Sequence, residues 1–490
     1  MSRTYAITTF GCQMNVHDSE RMHEVLRGAG LGEADDVGAA DVVVLNTCSV
    51  REKAEQKLLS ELGRLAKVKR DRPDMVLVVA GCVAQQEGER LLKHGRGVDL
   101  VVGPDNIPEL PRLLAELDAG APPFARAKFD LENPQFLTAL SVASRAATAF
   151  VTTMKGCDER CSFCIVPYTR GPERYRPSSS VIAEIAALAG AGVREVTLLG
   201  QTVNSYRDPE RGLADAPDAD LSDEDESEFA ALLRAIATEV PTLARLRYTS
   251  PHPRHLTPSL IRAHADIGIL ARHVHLPVQS GSDRMLKRMI RRYTRAEYVA
   301  RVASLRERVA GVTLSTDVIV GFPGETDDDF DATISLLEEI GFVGVFGFKY
   351  SPRPYTPALK LGDDVGEDVK SRRLSKLFET SEAILSRYLG SLEGSRQRVL
   401  LEGEARRGLD GASRPTYTGR TENNAIVHID DPAAAGLVGA VVELTITRAL
   451  KHSLVGALDE ADQVRGLSLV AAAGPRPRTR RVLPLVSEDS

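Results

Sequence analysis

From residue 5 onward, short apolar runs alternate with stretches of helical spacing. Residues 5–12, Tyr-Ala-Ile-Thr-Thr-Phe-Gly-Cys, read as a strand ending in a Gly turn, and a helical pattern follows through Arg27. Residues 41–48, Asp-Val-Val-Val-Leu-Asn-Thr-Cys, form a second run of the buried type, with helical spacing over about residues 50–68. Met75 to Cys82 is a third, followed by a helix from Gln85 to Lys93, and Asp99 to Gly103 is a fourth. Such alternation predicts an open parallel α/β sheet, because parallel strands need helical crossovers and are buried on both faces. Right-handed crossovers then place the carboxyl ends of the strands on one edge.

The periodicity weakens from Ala121 to about Ser144, around Pro122, Pro123 and Pro134, which reads as a connection between domains. Beyond it, strand-type runs recur near residues 149–154, 195–200, 245–249, 273–278, 313–320 and 345–350, again separated by helical stretches. Polar residues sit at the carboxyl ends of these runs: Gln201 and Asn204, Ser250 and His252, Gln279 and Ser280, and Gly321 to Glu325. The interval 207–228 is acidic and poor in large apolar residues, so it reads as a solvated surface insertion. After a helix from Lys370 to Leu389, short alternating runs at 396–401, 425–429 and 441–446 between Gly-rich turns predict a small all-β barrel. A Pro/Arg-rich tail beyond about Glu460 is expected to be disordered.

Length and composition narrow the class of protein. A chain of 490 residues is too long for one core and predicts roughly three domains. Lys plus Arg at 62 against Asp plus Glu at 68 leaves a net charge of −6, so any basic face for nucleic acid must be local. The amino terminus enters a strand pattern directly, without the apolar segment and cleavage site of a signal peptide, and no apolar run approaches membrane-spanning length. Six cysteines in this arrangement do not resemble the framework of a small secreted protein, so reduced thiols and a cytoplasmic location are expected.

The cysteines carry the chemistry. Cys157, Cys161 and Cys164 crowd one short loop, Lys-Gly-Cys-Asp-Glu-Arg-Cys-Ser-Phe-Cys. A soft, all-sulfur site favours zinc or iron–sulfur, but a closed zinc site wants a fourth protein ligand, and no Cys or His lies nearby in sequence to supply it. Three ligands therefore leave one coordination position open. Cys12, Cys48 and Cys82 each follow a successive strand, 36 and then 34 residues apart, so three thiols distant in sequence should converge at one sheet edge. Three small buried apolar residues are the alternative reading of that second trio.

The CxxxCxxC motif after a strand-like run resembles that of radical S-adenosylmethionine enzymes. The resemblance implies a [4Fe–4S] cluster on Cys157, Cys161 and Cys164, with S-adenosylmethionine chelating the fourth iron and undergoing one-electron cleavage, in a (β/α)6 partial barrel. The carboxyl-terminal runs, with Thr-Gly-Arg-Thr-Glu-Asn (418–423) and Ala-Leu-Lys-His-Ser-Leu (449–454), resemble a TRAM domain, an RNA-binding module. Arg396, Arg398, Arg414, Arg420, Arg448 and Lys451 are its candidate phosphate contacts.

Together with GQTVN, PVQSGS, VGFPGE and SPRPYTPA, this order is similar to that of the methylthiotransferases, with a resemblance covering roughly residues 3–457. It divides the chain into an amino-terminal domain (1–120), a linker (121–142), a radical core (143–375), a helix with the TRAM-like barrel (376–457) and a tail (458–490). It also implies a second [4Fe–4S] cluster on Cys12, Cys48 and Cys82 for sulfur insertion. Gln201, Asn204, Gln279, Ser280 and Glu325 are the candidate cofactor contacts. CSFCIVPYTRGPE and TGRTENN look most like the members that make 2-methylthio-N6-isopentenyladenosine next to the anticodon of tRNA. Thr202, where GQNVN is more familiar, Tyr175 and the acidic insertion depart from the pattern. The expected partners are a tRNA anticodon stem-loop and an electron donor such as flavodoxin or ferredoxin, with the protein a monomer. The competing readings are action on threonylcarbamoyladenosine or a ribosomal-protein aspartate, and, from a different class, a non-enzymatic iron–sulfur RNA-binding protein.

Overall fold

Runs that are apolar at every position form the strands covered on both faces. In a computed structural model describing residues 3–50, 52–93, 97–132, 134–138, 147–211, 227–405 and 415–473, the amino-terminal sheet comprises β1 (Thr4–Phe10), β2 (Gly32–Glu33), β3 (Val42–Thr47), β4 (Val76–Gly81), β5 (Leu100–Val102) and β6 (Phe124–Arg126). Their order is β2-β1-β3-β4-β5-β6, and every pairing is parallel. One core, with Leu45, Leu58, Leu62 and Val79, lies on one face; another, with Tyr5, Met22, Val44 and Leu113, lies on the other.

β6 corrects the linker expected over 121–142. Phe124 to Arg126 pair with β5 as the edge strand, three residues too short for any alternation to register in the sequence. Leu137 packs on the adjoining core, while the Asp130 and Gln135 carbonyls accept from Arg174 and Lys155, so the stretch is packed against both domains. Residues 139–142 of that linker lie outside the described residues.

The core domain holds the six expected strands, β7 (Thr148–Thr152), β10 (Glu195–Leu199), β11 (Arg245–Tyr248), β12 (His273–His275), β13 (Thr313–Val320) and β14 (Gly344–Lys349), together with a short antiparallel pair, β8 (Met154–Lys155) and β9 (Arg174–Tyr175). They form two parallel sheets, β11-β10-β7 and β12-β13-β14, connected by a bridge between Leu246 and Leu270. A single apolar cluster from Val151 to Ile384 runs between these strands and their helices. The cysteine loop follows β8 on the carboxyl side of the sheet. Of the acidic insertion 207–228, residues 212–226 lie outside the described residues, while Asp208 and Glu210 accept backbone N–H bonds from Ser178 and Ser179 at the start of the earlier helix Ser178–Gly190.

The carboxyl-terminal domain is a closed barrel of β15 (Arg396–Glu404), β16 (Tyr417–Thr421), β17 (Ile426–Ile429), β19 (Leu454–Leu458) and β18 (Val441–Ala449), in that spatial order. The tail begins later than expected. Residues Glu460–Ala473 form a helix against the turn Pro432–Leu437, where a Cβ on Gly436 would meet the Gly466 carbonyl at 2.2 Å. The proline-rich composition starts only beyond that helix, and residues 474–490 lie outside the described residues.

Charge joins the amino-terminal domain to the core. Buried Asp105 accepts bonds from Lys155, at 3.2 Å, and from Arg174. Replacing Asp105 with Ala strands two buried cations and is expected to cost about 3–5 kcal/mol, read as a lower midpoint of chemical unfolding. Burial opposes ionisation of Asp105, but the two cations outweigh it and hold the carboxyl below its ordinary 3.8. A depressed pKa stabilises the fold above about pH 4, and that contribution is lost as the pH falls through the folded value. The Asp105→Ala variant should lack this acid-side dependence in an unfolding series against pH.

Candidate active site

Strand register brings the amino-terminal thiols together. Phe10 pairs with Thr47 and Thr47 with Gly81, so the residues that follow each strand leave the sheet side by side. Gly11, at φ +144°, lets β1 turn sharply there; a Cβ on it would lie 2.5 Å from the Cys48 Cβ. Asn15 and Asn46 brace this edge, the Asn15 amide bonding the Asn46 side-chain oxygen at 3.1 Å and the Cys12 thiol bonding Asn15 at 3.3 Å. Cys12 and Cys48 interact directly, which pushes the Cys12 thiol down to about 6 and the Cys48 thiol up. The flanking Thr47 and Ser49 hydroxyls are buried without hydrogen-bond partners.

The core trio sits on a loop gripped from three sides. Gly156, at φ +80°, lies so close to Pro172 that a Cβ would meet its carbonyl at 1.9 Å. Its N–H bonds Gln201 Oε1 at 2.5 Å, leaving the amide nitrogen of Gln201 buried and unpartnered. The Thr202 hydroxyl lies 3.0 Å from Cys157 Sγ, so the departure at this position touches one of the three thiols. Arg291 donates to Cys161 Sγ at 3.3 Å and to the Pro277 carbonyl at 2.8 Å. Its neighbours Ile290 and Arg292 both have positive φ, 57° and 52°, a backbone strain of the kind kept at functional sites. Burial raises the Cys157 thiol and pushes Cys164 up to about 12. Thiolates at this depth therefore need a strongly cationic partner, and binding one releases protons.

The two trios face one another through Arg170. The helix Val166–Arg170 follows Cys164 directly, and at its end Arg170 donates to Cys82 Sγ at 3.2 Å and to Asp18 at 2.6 Å. The short helix thus carries the chain from the Cys164 loop to a direct contact with Cys82. All six thiols are free of disulfides. Two converged, all-sulfur donor sets, each with three thiols and unpartnered polar groups beside it, suit iron–sulfur clusters with one open position. Glu159, His252 and His255 also converge, but Arg254 lies 3.8 Å from Glu159, and this group reads as an ion-paired brace beneath the loop.

Two family models match this architecture: Uncharacterized protein family UPF0004 over residues 4–103, and the Radical SAM superfamily over residues 151–337. The chain is 65% identical to the tRNA-2-methylthio-N(6)-dimethylallyladenosine synthase of Sorangium cellulosum (strain So ce56), with 99% of each chain covered. The chain belongs to this synthase family. The Bordetella petrii protein of the same name is 44% identical, over 94% of this chain and 92% of that one. A radical S-adenosylmethionine methyltransferase from Kitasatospora setae, solved with cobalamin and a [4Fe–4S] cluster, shares the fold at a TM-score of 0.50 and 16% identity, covering 85% of this chain and 82% of that one. Membership of the Radical SAM superfamily carries with it a [4Fe–4S] cluster and S-adenosylmethionine.

Within this synthase fold, several candidate contacts have protein partners. Asn204 exchanges two bonds with the His252 backbone, at 3.0 and 2.8 Å. Ser280 Oγ meets Thr333 and the Ser282 N–H. Glu325 accepts from the Gly321 N–H at 2.6 Å and from Arg373 at 2.8 Å, and burial lifts its carboxyl to about 7. These three shape loops. Gln201 keeps a free amide, and Gln279 is a buried residue at φ +74° beside β13. Arg170, Arg291 and Thr202 contact the thiols without having been singled out as contacts in the sequence; only the TRGPE motif pointed to the first.

The basic residues of the barrel are also largely engaged. Arg396 pairs with Glu443, Arg398 with Glu422, Arg420 with Glu402 and Lys451 with Glu382, at 3.1, 3.1, 3.3 and 2.9 Å. Arg448 is exposed on β18, and Arg414 lies outside the described residues. The TGRTENN loop docks the barrel on the core: Arg245 and Arg247 donate to the Arg420 and Thr421 carbonyls, and Asn423 donates to those of Arg272 and Gly311. These core residues lie at the amino ends of β11, β12 and β13, away from the cysteines. Among the described residues, no helix is long and apolar enough to cross a membrane.

Proposed function

We propose that the chain methylthiolates N6-isopentenyladenosine next to the anticodon of tRNA, giving 2-methylthio-N6-isopentenyladenosine. The observation that carries this reading is the pair of facing cysteine trios in a chain 65% identical to a synthase of that name. Cys157, Cys161 and Cys164 would hold the cluster that cleaves S-adenosylmethionine, and Cys12, Cys48 and Cys82 a second [4Fe–4S] cluster that supplies sulfur. The cofactors provide the reactive species that an inert adenine ring carbon requires.

The protein's part is position, charge and exclusion of water. Arg291 places a buried cation on one sulfur of the radical site, and Thr202 offers a hydroxyl to another. Arg170 does the same for Cys82 while its other nitrogen is held by Asp18, so it fixes the relative placement of the two sites. The Gln201 amide is the best-placed side-chain donor for S-adenosylmethionine, with Gln279 beside it as a second candidate. Arg396, Arg398, Arg414, Arg420, Arg448 and Lys451 are the barrel residues proposed for tRNA phosphate. Free thiols fit the cytoplasm, where we place the protein as a monomer served by a one-electron donor such as flavodoxin or ferredoxin.

The test is an anaerobic reaction of reconstituted protein, S-adenosylmethionine and reductant with an isopentenylated anticodon stem-loop, the nucleosides being identified by mass spectrometry. A 2-methylthio product is expected from this substrate. Product formed only on threonylcarbamoyladenosine, or only on a ribosomal-protein aspartate, would reassign the substrate; deoxyadenosine release in no case would place the chain among binding proteins.

A further inference from the structure

The segment Ser-Pro-Arg-Pro-Tyr-Thr-Pro-Ala, residues 351–358, carries no thiol, yet it bonds the loops of both cysteine trios. At one end the Ala358 N–H bonds the carbonyl of Ser162, between Cys161 and Cys164, at 2.8 Å. At the other, buried Arg353 donates to the Val50 carbonyl at 3.1 Å and to Glu55 at 3.3 Å, and the Val50 N–H in turn bonds Cys48 Sγ. Between these anchors the chain turns at Pro354-Tyr355, and Tyr355 has φ +68°. Gly or Asn normally takes that place in a turn after Pro, since a side chain there is strained.

Burial does not offset the strain. Tyr355 is 56% exposed, and its ring lies against that of Tyr168, itself 43% exposed, with centroids 5.9 Å apart and planes 34° from parallel. Tyr168 belongs to the helix Val166–Arg170 that joins Cys164 to the Arg170 contact on Cys82. Two large aromatic rings are thus held open to solvent beside the passage between the two cysteine loops. An RNA loop is recognised by splaying its bases onto aromatic faces, and a base presented for chemistry must leave its stack.

We propose that Tyr168 and Tyr355 form a stacking platform for a nucleobase flanking the target adenosine in the anticodon loop. This rests on the RNA reading of the preceding subsection. A neighbour stacked on the tyrosines holds the strand while the target base turns in between the clusters. The platform reads a π-face and not an edge, so it favours a single-stranded loop without selecting one base.

The test uses reconstituted holoprotein and isopentenylated anticodon stem-loops carrying 2-aminopurine on one or the other side of the target. The chain contains no Trp, so the probe is seen without indole emission. Binding to the unaltered protein should quench the probe on one side. Tyr355→Ala and Tyr168→Ala, at full iron content, should each weaken binding about tenfold and remove the quench, while Tyr355→Phe and Tyr168→Phe keep both. Ala variants that bind and quench like the unaltered protein would overturn the platform alone. No RNA binding by the unaltered protein would overturn the RNA reading beneath it, and the platform with it.

Discussion

Replacing Cys157, Cys161 and Cys164 together with Ala is expected to abolish release of 5′-deoxyadenosine from S-adenosylmethionine and to halve the bound iron, from about eight to about four per chain. Each of these thiols lies on a loop shaped by Gly156, Gln201 and the Ser162 contacts, none of which depends on sulfur. The loop should therefore keep its path in the variant, and the amino-terminal cluster should stay visible by absorption and spin-resonance spectroscopy. Retained deoxyadenosine release would show that the cleavage site had been misplaced.

The second large effect is expected at Arg170. Replacing it with Met leaves the Asp18 carboxylate buried without its cation and takes the guanidinium from Cys82, at a cost of about 3–5 kcal/mol at the seam between the trios. Burial opposes ionisation of Asp18, and Arg170 together with His17 outweighs it, holding the carboxyl at about 2. Above the ordinary 3.8 this pairing contributes fully, and its contribution is lost as the pH falls through about 2. The deficit of Arg170→Met should thus be largest above about pH 4 and shrink in acid, as protonation of Asp18 relieves the variant. Arg170→Lys should recover only part of the loss, because an ammonium lacks the fork that spans Cys82 and Asp18. Iron content and unfolding midpoints across a pH series measure both effects.

Much of this was written in the sequence where the signal was local. β3 is buried at every position, and Val42 to Thr47 could hardly be anything else. Cys12, Cys48 and Cys82 converge because their strands pair in register, a consequence of equal phase in each strand–helix unit. The short edge strand Phe124–Arg126 escaped because three residues carry no period, and the helix Glu460–Ala473 because its composition blends into the tail. In the site, motif position located loops but not the partners of their side chains. Asn204 and Glu325 were read as candidate cofactor contacts from their motifs, and spacing gave no sign that their side chains also bond the His252 backbone and Arg373. Arg291 reaches Cys161 from 130 residues away, a distance at which no spacing rule applies. The TGRTENN loop, read as a mark of the TRAM-like module, also meets the amino ends of the core strands through its backbone carbonyls and Asn423, a docking that no local pattern announces.

The central claim is that the chain carries two clusters with separate duties, and the most direct measurement is made on one protein in which Cys12, Cys48 and Cys82 are all Ala. Deoxyadenosine and methylthiolated nucleoside are quantified in the same reaction with isopentenylated tRNA, beside the iron content. The expected result is about four iron atoms per chain, continued cleavage of S-adenosylmethionine and no methylthiolated adenosine. Methylthiolated adenosine from this variant would contradict the account, because sulfur insertion would then not need the amino-terminal trio.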